Sequence, residues 1–333
     1  MNVALFGTQE FEKSPLETAN DGKHKLTFID TRLTPIVAKL AMGCDAVSCS
    51  GNGQVDAQTL TELKNLGVKI IATRSVGFNH IDLKKAAEIS IPIVRVPEYS
   101  PFAIAEYAVG LLLTLNRKIH RAYNRVHELN FSLDGLVGFD LHGKTVGVIG
   151  TGRIGKNFAH IMHGFGCRVL ANDQFPDLAW ALKNEIEYVD RVSLLKLSDV
   201  ISLHVPLSAD NRHMIDKEAL DLLKKTAILI NTGRGALIDT HALISTLKNH
   251  AIAGACLDVY EEEAGVFFSD WSEFGINDDM LARLITFPDV LITSHQAFLT
   301  HEALKNIADT TIQSLTLFEV GGDLSHVLVT TLR

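Results

Sequence analysis

The sequence has little of several features that mark specialised classes of protein. Its four cysteines are scattered without a Cys-x-x-Cys pair, which argues against a zinc knuckle or a disulfide framework and favours a reduced, cytoplasmic setting. Its formal net charge is −8. Because the neutralisation of phosphates requires an excess of Lys and Arg, a nucleic-acid partner is not expected.

Long hydrophobic runs are also missing. The most apolar stretch, residues 107–115, is flanked by Glu106 and Arg117 and is far shorter than the roughly 20 residues that a membrane span requires. The start, MNVALFGTQEFEK, has no basic segment, and its apolar run is too short for a signal peptide. We therefore expect no membrane partner.

What is present is an α/β pattern. A chain of 333 residues is long enough for two domains. In the first hundred residues, short β-rich runs alternate with helical patterns, which predicts a parallel sheet built from βαβ units. The predicted strands are 2–7, 25–30, 45–50, 68–75 and 92–97, and the predicted helices are 35–42, 57–66 and 81–89.

A second, larger parallel sheet is predicted after a long helix at 102–128 and a linker-like stretch at 132–143. Its predicted strands are 145–149, 168–172, 187–189, 200–205, 227–231, 253–258 and 290–294. The final helix, about 300–320, has no sheet of its own left to cover. It could return to the first domain and make that domain discontinuous.

A glycine-rich turn stands between the strand 145–149 and the following helix. In this GTGRIG segment, Gly150 allows a tight turn, Gly152 a close approach of the backbone to a pyrophosphate, and Gly155 close contact between helix and strand. Asp173 follows the next strand, eighteen positions after Gly155, where an acid binds an adenosine ribose and repels the 2′-phosphate of NADP. The pattern predicts NAD; a structural turn with a solvated Asp is the alternative.

Three polar residues follow predicted strands of the second sheet, on the edge where open α/β sheets bind ligands. Arg234 in NTGRGALID can bind a carboxylate bidentately, and His295 in SHQAFLT can exchange a proton with a carbonyl oxygen. A glutamate beside that histidine, one of Glu261–Glu263, favours the protonated ring. The set suits interconversion of a 2-keto acid and a 2-hydroxy acid, although each residue singly is also compatible with an ordinary surface role.

Five motifs in register resemble the D-isomer-specific 2-hydroxyacid dehydrogenase family: GTGRIG, LHVPLSADNRHMI, NTGRGALID, LDVYEEEAGVFF and HQAFLTHEAL. Two further segments, ATRSVGFNHIDL and RVPEYSPFAIAEYAVGLLLTLNRKIHRAY, are similar to the bacterial D-lactate dehydrogenases. The resemblance implies a Rossmann-type NAD domain, residues 100–298, inserted into a discontinuous flavodoxin-like substrate domain, residues 1–99 and 299–333.

The resemblance also implies roles for single residues. Arg234 corresponds to the substrate-binding arginine, His295 to the acid/base and Glu263 to its carboxylate partner, which selects among the three glutamates. For the substrate, Val76 and Gly77 would offer backbone N–H groups, with Tyr99 and Phe298 lining the pocket. For NAD, the implied residues are Gly150, Gly152, Arg153, Ile154, Gly155, Asp173, Val205, Pro206, Asn211, Thr232, Gly233 and Asp258.

The resulting hypothesis is an NAD-dependent D-lactate dehydrogenase acting on pyruvate, as a homodimer or homotetramer paired through the long helix 102–128. The alternative for that helix is burial within one subunit. Two alternatives are open: a dehydrogenase for a larger 2-keto acid such as phenylpyruvate, and an NADH-responsive regulatory binding protein on the same fold. No metal is expected, because His160 and His163 lack a third ligand and suit a solvated helix face.

Overall fold

The structure is a computed structural model that describes residues 1–329. Residues 330–333, the end of the predicted segment 299–333, lie outside the described residues. The chain divides into two compact units, one formed by Met1–Ser100 with Leu299–Arg333 and the other by Pro101–Phe298. Within the part of the chain that is described, no helix combines the length and the apolar content needed to cross a bilayer.

The first unit contains a five-stranded parallel sheet in the order β2-β1-β3-β4-β5. This strand order is that of the flavodoxin-like doubly wound fold. The strands are β1 (Asn2–Phe6), β2 (Lys25–Ile29), β3 (Ala46–Cys49), β4 (Ile70–Thr73) and β5 (Ile93–Arg95). The helices are α1 (Glu10–Asn20), α2 (Ala57–Asn65), α3 (Leu83–Glu88) and, from the end of the chain, α12 (His301–Glu319).

Both faces of this sheet are covered, which explains why its strands are almost continuously apolar. On one face, Val3 and Leu5 pack with Leu16 of α1 and with Ala308 and Leu315 of α12. The other face packs against α2 and α3. The terminal helix α12 is therefore a structural part of the first unit.

The second unit contains a seven-stranded sheet in the order β12-β11-β10-β9-β6-β7-β8, parallel throughout. Its strands are β6 (Thr145–Ile149), β7 (Arg168–Asn172), β8 (Glu187–Tyr188), β9 (Val200–Leu203), β10 (Ile228–Asn231), β11 (Gly254–Leu257) and β12 (Val290–Ile292). Its helices are α4 (Pro101–Asn116), α5 (Ile119–His127), α6 (Arg153–Gly164), α7 (Leu178–Lys183), α8 (Arg191–Leu197), α9 (Lys217–Asp221), α10 (Thr240–Lys248) and α11 (Asp279–Ile285). The order reverses between β6 and β9, as in Rossmann folds, and the predicted α/β class with two parallel sheets is confirmed.

Three helix predictions differ from the structure. The long helix predicted at 102–128 is two helices, α4 and α5, because Lys118 takes a left-handed conformation with φ 53° that no α-helix accommodates. The helix predicted at 35–42 is a 3₁₀ turn, Ala38–Ala41. Helix α1 was not predicted, because its internal Pro15 and its low apolar content weaken the helical pattern.

Candidate active site

The three predicted catalytic side chains stand at the same edge of one sheet. Arg234 comes three residues after β10, His295 three residues after β12, and Glu263 follows β11, which lies between those two strands. Asn231 pairs with Leu257 and Leu257 with Ile292, so the three strands end level with one another. Because neighbouring strands lie about 4.8 Å apart, three adjacent strand ends span on the order of 10 Å.

The loop that carries Arg234 is closed by the buried Asn231. The side-chain amide of Asn231 donates to the carbonyl of Arg234 at 2.8 Å, and its oxygen accepts the N–H of Gly233 at 3.0 Å. The guanidinium of Arg234 makes one bond, from Nη1 to the carbonyl of Gly233 at 2.7 Å. Four of its five N–H donors therefore have no protein acceptor among residues 1–329 and are available to an anion.

Gly235 brings this loop against the turn that carries Glu263. A Cβ at Gly235 would lie within 3.0 Å of the Tyr260 carbonyl and the Glu261 nitrogen, a separation that real Cβ atoms do not reach. Only a glycine allows the two backbones to approach this closely. The distance between the Arg234 loop and the Glu263 turn thus depends on the absence of one methyl group.

Glu263 and His295 form a hydrogen-bonded pair. Nδ1 of His295 lies 2.7 Å from Oε1 of Glu263, while Oε2 accepts the backbone N–H of Tyr260 at 3.2 Å. Because a carboxylate only accepts, the hydrogen-bond pattern assigns a proton to Nδ1. Nε2 has no hydrogen-bond partner within residues 1–329, and it is the atom that can exchange a proton with a ligand.

Asp258 holds the segment that carries His295. Its buried carboxylate accepts the Thr293 hydroxyl at 2.6 Å and the N–H groups of Gln296 and Ala297, both at 2.9 Å. Its carbonyl accepts the N–H of His295 at 2.7 Å. Burial raises the pKa of the Asp258 carboxyl, and these donors oppose that shift. The hydrogen bonds of the Asp258 side chain go to residues of this loop. Its contact with NAD remains a prediction.

Backbone strain accompanies the pair. His295 has φ 54°, and Phe268, whose ring centre lies 6.1 Å from the imidazole, has φ 67°. Left-handed conformations are unfavourable for non-glycine residues, by about 1–2 kcal/mol each, and they cluster at functional sites. Phe268 ends the LDVYEEEAGVFF motif, but the sequence assigned it no role in the site.

The glycine turn leads directly into the N-terminus of helix α6. Helix α6 begins at Arg153 after Gly152, which supplies no side-chain cap, and a Cβ at Gly152 would meet nothing within 4 Å. Gly150 has φ 95°, and a Cβ at Gly155 would collide with the Gly150 carbonyl. The 12-residue helix thus begins beside Gly152 with Arg153 and Ile154, and the N-terminus of such a helix suits a pyrophosphate.

Asp173 lies beside this turn. Its carboxylate accepts the N–H and the hydroxyl of Thr151, at 2.5 and 3.0 Å, and the N–H of Phe175 at 2.8 Å. Burial opposes ionisation, but the bonds from Phe175 and Thr151 dominate and lower the pKa of Asp173. A charged acceptor at the end of β7 fits a ribose diol. Tyr188, bonded to the Thr151 hydroxyl at 2.6 Å, was not predicted.

The remaining predicted NAD residues follow β9 and β10. The Asn211 side chain closes the loop after β9 by donating to the Pro206 carbonyl and accepting the N–H of Ser208, both at 2.7 Å. After β10, the buried Oγ1 of Thr232 has no hydrogen-bond partner within the described chain. A buried orphan hydroxyl beside Gly233, on the edge that also carries the glycine turn, fits a polar cofactor such as NAD. Val205 is half-buried at the same edge.

The predicted substrate residues of the first unit are Val76, Gly77 and Tyr99. Val76 and Gly77 lie in the turn after β4, and the Tyr99 carbonyl accepts the Asn306 side chain at 2.6 Å. Phe298, which belongs to the second unit, is half-buried. Within residues 1–329, no cluster of three or more His, Cys, Asp or Glu side chains is arranged to hold a metal ion.

Comparison with known proteins gives consistent matches. Residues 109–297 match the family described as "D-isomer specific 2-hydroxyacid dehydrogenase, NAD binding domain". The chain is 47% identical to a D-lactate dehydrogenase of Escherichia coli over 330 residues, covering 99% of this chain and 100% of that protein. It is also 44% identical over 300 residues to an aromatic 2-oxoacid reductase of Clostridium sporogenes, covering 90% of each.

The fold comparison agrees. The apo-structure of D-lactate dehydrogenase from Escherichia coli matches with a TM-score of 0.90 at 46% identity, covering 99% of this chain and 100% of that one.

Proposed function

This chain belongs to the D-isomer-specific 2-hydroxyacid dehydrogenase family, which makes it an NAD-dependent oxidoreductase, and from that premise we propose that it interconverts pyruvate and D-lactate. The observation that carries the proposal is the Glu263–His295 pair at 2.7 Å, with Nε2 open and the largely unpaired guanidinium of Arg234 on the adjoining loop. A proton donor and a carboxylate-binding cation are the two groups that the protein contributes when NADH reduces a 2-oxo acid.

In the proposed mechanism, Arg234 binds the 2-oxo acid through its free N–H donors and polarises the ketone. His295 donates the proton from Nε2 to the ketone oxygen, and in the reverse direction it accepts the hydroxyl proton. Glu263 stabilises the imidazolium and fixes the ring through Nδ1. NADH, when bound, would supply the hydride for reduction, and NAD⁺ would accept it in the reverse direction.

The other substrate and cofactor residues are part of the same proposal. The N–H groups of Val76 and Gly77 bind the substrate carboxylate, and Tyr99 and Phe298 limit the pocket. For NAD, the turn from Gly150 to Gly155 binds the pyrophosphate and Asp173 the adenosine ribose. The cofactor site is completed by Val205, Pro206, Asn211, Thr232, Gly233 and Asp258. The space beside Gly152 and the orphan Thr232 hydroxyl support this assignment.

The test is oxidation of NADH by the purified protein with a panel of 2-oxo acids, followed by chiral analysis of the product. We expect pyruvate to be reduced to D-lactate. His295→Gln should lower kcat by on the order of 10³-fold while the Kd for NADH stays near wild type. Formation of L-lactate, or equal losses of turnover and NADH binding in H295Q, would contradict the proposal.

A larger substrate is the second candidate. The aromatic 2-oxoacid reductase among the relatives, at 44% identity, favours including phenylpyruvate in the panel. Pocket volume discriminates pyruvate from phenylpyruvate, because a difference of one methylene in a hydrophobic pocket already changes kcat/KM by about 10–200-fold. A higher kcat/KM for phenylpyruvate than for pyruvate would select this alternative.

We further propose that the chain functions as a homodimer or higher multiple in the cytoplasm. Helix α5 has no buried residue, and a groove of about 670 Å³ runs along it between Leu113 and His127. Ile119, Tyr123 and Val126 are 53%, 64% and 48% exposed there, an apolar surface that monomers seldom leave open. All four cysteines are free thiols, which supports a reducing compartment.

Light scattering tests the oligomer. We expect the wild type to have at least twice the 36.5 kDa mass of one chain, and we expect Tyr123→Glu to dissociate it. Leu182→Glu, at an 85% exposed position on α7 outside this groove, is the matched control. A monomeric wild type, or equal effects of the two substitutions, would refute the assignment of this surface.

A further inference from the structure

The turn after β4 has several backbone N–H groups that make no hydrogen bond within residues 1–329. Every carbonyl from Ser75 to Phe78 accepts a hydrogen bond. The donors are Val96 N to Ser75 O (3.3 Å), Arg95 Nη1 to Val76 O (2.9 Å), Ser75 Oγ to Gly77 O (2.6 Å) and Ile81 N to Phe78 O (3.1 Å). By contrast, the N–H groups of Val76, Gly77 and Phe78 have no hydrogen-bond partner within residues 1–329.

This asymmetry fixes the direction of the free donors. In a trans peptide unit, the C=O and the following N–H point in opposite directions within one plane, and the peptide bonds of this turn are trans. A bond to the Ser75 carbonyl therefore orients the N–H of Val76, and a bond to the Val76 carbonyl orients the N–H of Gly77. The first is made by a backbone group, whereas the second is made by the side chain of Arg95.

Arg95 is itself held over the turn. It is the last residue of β5, paired with Thr73 of β4, and its own N–H donates to the Val327 carbonyl at 3.0 Å. Its guanidinium carbon lies 5.3 Å from the centre of the Phe78 ring, within range of a cation–π interaction. The planar group is thus fixed by the ring on one side and directs one N–H to the Val76 carbonyl.

We propose that Arg95 is a positioning residue for the carboxylate of the substrate: it holds the Val76–Gly77 peptide so that the Gly77 N–H points at that carboxylate. The inference rests on the proposed function, which assigns Val76 and Gly77 to carboxylate binding. Since a hydrogen bond to an ionised acceptor is roughly twice as strong as a neutral one, the loss of this orientation weakens binding of a 2-oxo acid more than it weakens binding of its neutral amide.

Three variants separate this role from general stabilisation. Arg95→Met removes the donor, Arg95→Lys keeps one donor and the charge, and Arg32→Met alters an exposed arginine of the same unit that has no bond to another residue within 1–329. We expect R95M to raise the KM for pyruvate and the Ki for oxamate, an unreactive 2-oxo carboxylate analogue, by about tenfold. In R95K we expect both constants to rise about threefold. In R32M we expect wild-type values of both.

Four measurements exclude a merely structural effect. The kcat with pyruvate, the Kd for NADH and the unfolding temperature should stay close to wild type in R95M, and the preference for pyruvate over pyruvamide should narrow by roughly tenfold. An unchanged KM and Ki in R95M would overturn the inference, as would equal losses for pyruvate and pyruvamide. If instead the wild-type protein reduces no 2-oxo acid, the proposed function fails, which is a distinct result.

Discussion

Substitution of Gly235 by alanine tests how closely the catalytic geometry depends on backbone packing. The added Cβ would contact the Tyr260 carbonyl and the Glu261 nitrogen well inside 3.0 Å. Both neighbours are backbone, so no side-chain rotation relieves the contact. Because carbon atoms pack about 3.5–4.0 Å apart, the two segments must separate by on the order of 1 Å.

This separation acts directly on the site, since Gly235 follows Arg234 and the displaced turn leads to Glu263, which orients His295. A misplacement of about 1 Å lowers turnover by on the order of 100-fold. Overpacking of this kind also destabilises by about 1–3 kcal/mol. We therefore expect Gly235→Ala to lower kcat/KM for pyruvate by about two orders of magnitude, while NADH still binds through the glycine turn of α6.

The assay is steady-state kinetics with pyruvate, together with NADH titration and thermal unfolding. Gly164→Ala is the matched control, because a Cβ at Gly164, the last residue of α6, meets nothing within 4 Å. It should be neutral or slightly stabilising. If Gly235→Ala keeps kcat/KM within about threefold of wild type and leaves the unfolding temperature unchanged, the added Cβ does not push the two loops apart and the reasoning is wrong.

Three further predictions concern pH, cofactor choice and substrate size. Burial, assisted by the N-terminal ammonium, lowers the pKa of His24, so the unfolded chain binds a proton at a pH where the folded chain does not. The free energy of unfolding should therefore fall as the pH drops below about 6.5, by at most about 1.4 kcal/mol per pH unit. Urea unfolding of His24→Asn should show a flatter dependence of this free energy on pH. Asp173→Asn should narrow the preference for NADH over NADPH by about tenfold, because the repulsion of the 2′-phosphate is lost; an unchanged ratio of kcat/KM values would remove Asp173 from cofactor discrimination. Phe268→Ala should raise kcat/KM for phenylpyruvate relative to pyruvate by about tenfold, and no change in that ratio would place the ring outside the pocket.

The predictions from sequence succeeded where local pattern and chemistry coincide. Continuous apolar runs such as Val146–Ile149 mark strands buried on both faces, and the glycine spacing marks the turn that precedes α6. The family prediction, made from five motifs in register, is confirmed over 99% of the chain. The break at Lys118 was missed, because a left-handed residue without glycine or proline leaves no sequence signal.

The arrangement of the candidate site was only partly predictable. The sequence placed Arg234, Glu263 and His295 after strands, but it could not show that Asp258 bonds Thr293, Gln296 and Ala297 rather than solvent. Nor could it show that Arg95 bonds the Val76 carbonyl, since these two residues are brought together by the pairing of β4 with β5.

Residue types and their spacing were thus enough to determine the α/β class, the nucleotide turn and the family, because each depends on short-range periodicity or on a compact motif. Which side chains support the site was decided only by tertiary structure. Contacts such as Gly235 against Tyr260, or Asp258 beneath His295, join residues that are 25 or more positions apart in the chain. Their distances follow from strand order and register, which no local segment encodes.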